Sequence, residues 1–144
     1  MKKILILALT VIIASACSSS DDAGDVNTSE FEEITTILPQ GKWFISRLID
    51  GNSDKTSEFE SFDFTFNTDG TVKAQNDLFT ENGTWNYDNS SSDDEELVLQ
   101  FGNTTPFDEI NDDWEIVSIS NSQIELSDIS GGDGDLELLT FTKL

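Results

Sequence analysis

The chain has 144 residues, with 7 Lys and Arg against 29 Asp and Glu, a formal charge of −22, one Cys and no His. A single thiol excludes a disulfide framework, and the missing imidazole excludes Cys/His zinc sites and Ser-His-Asp or Cys-His nucleophilic sites. So acidic a chain is a poor partner for nucleic acid, whose phosphates are met by Lys and Arg, and its length suits one domain.

Met1-Lys2-Lys3 is a short basic segment. Ile4 to Ile13 is an apolar run interrupted only by Thr10, and Ala14-Ser15-Ala16-Cys17 ends it in small residues before the sole cysteine. The run is too short to span a bilayer and suits the apolar core of a signal peptide, so residues 1–16 read as a leader. The residues before Cys17 resemble the lipobox of bacterial lipoproteins, with Ala14 where Leu or Val is commoner. That resemblance implies transfer of diacylglycerol to the Cys17 thiol, cleavage before it, and acylation of the new amino group. The alternative is an ordinary signal-peptidase site that leaves Cys17 a free thiol. Acyl chains bind a membrane at about 0.8 kcal/mol per buried CH₂. The expectation is a protein held to the cell envelope, at its outer membrane, by N-terminal lipid rather than by a spanning segment.

Residues 17–28 are polar and acidic and read as a flexible tether. Ser20-Asp21-Asp22 resembles the acidic export signal of surface lipoproteins in Bacteroidota, which implies surface exposure; a solvated linker is the alternative. The domain proper is then expected over residues 29–144. Ser29 and Glu32 match a capping box, Phe31, Ile34 and Leu38 recur at helical spacing, and Pro39 ends the run. A helix this short needs something to pack against.

From Gly41 the apolar period becomes two. Phe62, Phe64 and Phe66 alternate with polar residues, as do Ile124 and Leu126, and Leu97, Leu99 and Phe101 keep the same phase. Turn signals at Asp50-Gly51-Asn52, Asp69-Gly70, Glu81-Asn82-Gly83, Asn121-Ser122 and Gly131-Gly132-Asp133-Gly134 separate the runs. The runs between them predict strands over 42–49, 60–67, 71–76, 83–88, 95–101, 113–120, 123–129 and 135–143. The acidic stretch Asn86–Glu96 reads as a solvated hairpin tip. The fold class is all-β: an eight-stranded antiparallel barrel with a short N-terminal helix, the alternative being a sandwich of the same strands.

Gly41-Lys42-Trp43 opens the first strand after a short helix, as the G-x-W of lipocalins does. With Phe64-x-Phe66-x-x-Asp69-Gly70, Gly83-Thr84-Trp85 and Leu139-x-Phe141-Thr142-Lys143 it resembles the lipocalin-like domains of Bacteroidota lipoproteins. The resemblance implies a lipocalin-like barrel in which Trp43 packs at the closed end against Lys143, with Lys where Arg is usual. The disulfides and the second and third signature motifs of classical lipocalins are not visible, so their ligand chemistry does not transfer.

Arg47 shares strand parity with Trp43, Ile45 and Ile49, so it is expected to point inward as an anchor for a carboxylate ligand. A bulge would instead turn it outward. Phe64, Phe66, Trp85 and Leu99 are the expected lining of a pocket for a small apolar or amphipathic ligand; Trp43, Trp114 and Tyr87 are further aromatic candidates. A cavity at those residues favours a carrier. A filled interior favours a ligand-free structural or interaction lipoprotein acting on an unknown protein partner through its outer surface. Calcium-dependent adhesion through acidic loops (Asp93-Asp94-Glu95-Glu96, Asp108-Glu109, Asp112-Asp113, Asp133 and Asp135) is a weaker reading, because no EF-hand loop is present. No metal, cofactor or catalytic residue is assigned, and the expectation is a binding protein rather than an enzyme.

Overall fold

The computed structural model describes residues 26–90, 95–129 and 134–144. Cys17, the leader, Ser20-Asp21-Asp22, Asp93-Asp94 and Gly131-Gly132-Asp133 lie outside them. The order is helix α1 (Val26–Ile37), then strands β1 (Trp43–Asp50), β2 (Ser53–Asp54), β3 (Asp63–Phe66), β4 (Thr71–Gln75) and β5 (Thr80–Asp88). Strands β6 (Glu96–Gln100), β7 (Asp112–Ile119), β8 (Gln123–Asp128) and β9 (Glu137–Lys143) complete it. Short 3₁₀ helices lie at Thr56–Glu58 and Phe107–Ile110.

Every neighbouring pair is antiparallel, and β9 returns to pair with β1. This closure settles barrel against sandwich: eight strands, β1 and β3 to β9, form an antiparallel barrel, and β2 is a two-residue appendage to β1. Among the described strands, closure leaves no long unpaired edge. The seam between β1 and β3 is narrow, with one bridge at Trp43 and Phe64. Beyond it, Thr56 Oγ1 accepts from the Leu48 N–H at 2.9 Å and the Lys55 N–H donates to the Leu48 carbonyl.

The interior is filled along its length. Phe64, Phe66, Val72, Ala74, Leu97, Leu99, Ile124, Leu126, Leu139 and Phe141 face inward and are buried. Ring contacts run Phe101–Phe64 (6.1 Å), Phe64–Phe141 (5.3 Å), Phe141–Phe66 (5.4 Å) and Phe66–Trp85 (6.0 Å), mostly edge to face. Such pairs add about 0.5–1.5 kcal/mol each beyond their buried area.

Both ends are closed. At the lower end, α1 packs beside β5 and β7 and buries Ile34 and Ile37, and Leu38 just past its end is buried with them. The indole N–H of Trp43 donates to the Leu38 carbonyl at 2.9 Å and ties the helix end to β1. At the upper end, Phe107 stands among Phe59, Phe62, Phe79 and Phe101, with centroids 5.1–6.1 Å away. The Asn111 side chain closes the 101–111 loop by pairing with both backbone groups of Phe101.

Two local expectations are corrected. The helix begins at Val26, so Ser29 lies inside it and is not its cap. Glu81-Asn82-Gly83 is not a turn but part of β5, where Gly83 pairs with Val72. Gly83 serves close approach there: a Cβ would meet the Gln100 carbonyl at 2.6 Å and the Phe101 ring at 2.8 Å. The turn falls earlier, where Asn76 Oδ1 accepts from the N–H groups of Leu78 and Phe79.

Candidate functional site

The residues expected to line a pocket are brought together, as packed core. Phe64 is fully buried, and Phe66, Trp85 and Leu99 are nearly so. Their rings touch one another or Phe141, and the Trp85 indole N–H donates to the Asn67 carbonyl at 2.9 Å. Trp114 is fully buried, its N–H donating to the Ile110 carbonyl at 3.2 Å, and Tyr87 is half-buried against the same core. Trp43 and Lys143 are strand partners, with Lys143 Nζ 5.4 Å from the Trp43 ring centroid. This is a cation–π distance.

Arg47 does not join them. The β1–β9 register shifts between Ile45 and Arg47, so Ser46 and Arg47 both face solvent and Leu48 takes the inward position. The bulge inserts one residue and reverses the parity on which the inward expectation rested. On the outer wall, Arg47 borders a shallow depression of about 200 Å³ with Val117, Glu125, Leu138 and Thr140. A second bulge, between Ile116 and Ser118, displaces Val117 there. A broader open groove of about 690 Å³ lies elsewhere, beside the Lys42–Asp63 ion pair at 3.1 Å.

One corner of the upper end breaks the apolar rule. Asp112 on β7, Asp128 on β8 and Glu137 on β9 each present a carboxylate oxygen within 4.8 Å of the other two. All are half-buried and stand in phase with inward residues: Asp112 with Trp114, Asp128 with Leu126, Glu137 with Leu139. Burial raises the Asp112 pKa, reinforced by Asp113 and Asp128. Burial likewise raises that of Glu137, with repulsion from Asp50, Asp128, Asp112 and Glu109 adding to it. Asp128 Oδ2 is shielded and has no hydrogen-bond partner among the described residues. An ion pair at this end, Lys55 to Glu109 at 3.2 Å, clips the β1–β3 connection to the 3₁₀ helix that carries Phe107. Oxygen-only donors of this kind can accept protons or a hard divalent cation. The acidic loops of the sequence reading include Asp112 but miss Asp128 and Glu137. The signal for both was their phase with Leu126 and Leu139.

No protein-family model matches the chain, and no curated protein matches it. Among solved structures the chain is similar to a DUF4847 family protein from Bacteroides vulgatus. The two share 15% identity at a TM-score of 0.52, over 77% of this chain and 97% of that one. Likeness at that identity shows the barrel fold alone.

Proposed function

We propose that the protein is a lipid-anchored accessory module of the bacterial cell envelope. Its lipocalin-like barrel serves as a rigid scaffold and acts on other proteins through its outer wall. The observation that carries this reading is the filled interior. Aromatic contacts run unbroken from Phe107 to Trp85, with α1 at one end and the Phe107 cluster at the other. A carrier needs a cavity with a few polar groups turned into it. The polar group expected for that role, Arg47, is on the outside. The role is binding rather than catalysis.

The anchor rests on Ala14-Ser15-Ala16-Cys17 and on the apolar run before it. On this reading the domain sits at the outer membrane on a tether that ends before α1, residues 17–25, and Ser20-Asp21-Asp22 supports display on the cell surface. The test is native mass spectrometry of the protein extracted from its own envelope. A bare polypeptide carrying only acyl mass on Cys17 is the expected result, with that mass lost in Cys17→Ser. A discrete organic molecule retained in the domain would overturn the filled-barrel reading and restore the carrier of a small apolar ligand.

A further inference from the structure

The outer wall formed by β1, β9, β8 and β7 carries apolar side chains that the barrel does not bury. Ile49 and Leu138 are paired neighbours, both half-buried. Val117, thrown out by its bulge, is 57% exposed and borders the same depression as Leu138. Leu136 and Ile129, 47% and 68% exposed, continue the outward columns one step past the Asp128–Glu137 pair. The opposite wall obeys the ordinary rule for a solvated strand face: Thr71, Lys73 and Gln75 on β4 pair with Thr84, Asn82 and Thr80 on β5. Leu78 and Phe79 are also exposed, but on the β4–β5 connection rather than on a strand face. Apolar side chains grouped on four adjacent strands mark a contact surface.

Charge selects the occupant. Glu125 and Arg47 flank Thr140, Glu115 pairs beside Ser127, Asp54 pairs with Ile49, and Asp135 stands against Gly51. The charged groups named here are carboxylates apart from Arg47, which borders the depression itself. A second copy would bring the same carboxylates, on a chain of charge −22, and an anionic lipid surface is opposed for the same reason. We propose that this wall docks a protein surface that is apolar at its centre and cationic at its rim. The proposal rests on the reading that the protein acts through its outer wall, and it names the face and the partner chemistry.

The test is a titration of the full chain with a synthetic strand peptide alternating Leu and Lys, read by fluorescence anisotropy. Binding is expected to weaken about tenfold between low salt and about 0.5 M salt. It is expected to weaken about tenfold in Val117→Ser/Leu138→Ser, and to a similar degree when the peptide carries Ser in place of Lys. Gln75→Ser on the polar wall leaves it unchanged, and equal melting temperatures show that the variants fold. Binding indifferent to Val117 and Leu138 reports charge alone and overturns the proposal. A dimer abolished by the same substitutions assigns the wall to a second copy and overturns it too, as does flotation with phosphatidylcholine vesicles through those residues. An organic molecule retained in the barrel would defeat the filled-scaffold reading and leave this result standing. Failure at Val117 and Leu138 defeats only the docking face.

Discussion

The upper end of the barrel holds two solutions to the same geometric problem. On one side, inward positions are filled by rings around Phe107, and every contact is apolar. On the other, inward positions on β7, β8 and β9 are occupied by Asp112, Asp128 and Glu137. The first side gains from leaving water. The second loses, because half-buried like charges lose hydration and repel one another. The difference teaches that inward parity fixes where a side chain points, not whether its burial stabilises the fold.

The largest effect should come from the aromatic side. Phe107→Ala removes the ring shared by four neighbours and should cost about 3–5 kcal/mol, measured by chemical denaturation. A loss under about 1 kcal/mol would mean that the upper end collapses onto the gap. At the lower end, Trp43→Phe keeps most of the ring but leaves the Leu38 carbonyl without its indole donor, which should cost about 1–3 kcal/mol. The acidic side should respond with the opposite sign. Asp128→Asn removes one of three crowded carboxylate charges, the one whose shielded Oδ2 lacks a hydrogen-bond partner, and should stabilise the chain by about 1 kcal/mol, seen as a higher melting temperature. If calcium raises the melting temperature of the unaltered chain and Asp128→Asn abolishes that rise, the corner is a cation seat and not merely a repulsive one.

The pH profile sharpens the same contrast. The folded-state pKa values of Asp112 and Glu137 lie above their ordinary values, so both groups penalise the fold when ionised. That penalty is full at neutral pH and is relieved as pH falls through their raised values. Asp69 has the reverse sign: the Thr71 hydroxyl and N–H hold its carboxyl below the usual range, so its contribution is lost only in stronger acid. Thermal melts should therefore show stability rising from neutral to mildly acidic pH before it falls. Glu137→Gln should flatten the rise. The smallest effect is expected at Arg47→Leu, within about 0.5 kcal/mol, since Arg47 lies in solvent and fills no part of the core.

Much of the fold was legible in the residues. Period-two alternation located eight strands, and Asp50-Gly51 and Asp69-Gly70 marked real turns, with glycines at φ 53° and 82°. Asn82-Gly83 misled because glycine serves two purposes: it permits a turn, and it permits close approach between strands. Arg47 misled because a bulge leaves no mark in a hydrophobic pattern until the partner strand is known. Asp128 and Glu137 were within reach, since both continue the alternation of their strands. Neither belongs to the glycine-rich and acidic loops, where carboxylates are commonest and least informative.

By itself the sequence determined the strand succession, the aromatic core, the helix stop at Pro39 and the acidic character of the whole. These follow from local spacing and composition, which each segment carries independently of its neighbours. The tertiary structure alone decided that β9 closes on β1, that Arg47 and Val117 lie on the outer wall, and that three carboxylates from separate strands meet. Each depends on register between segments as far apart in the chain as β1 and β9. Register is set by which side chains fill the shared interior, a property no single strand contains.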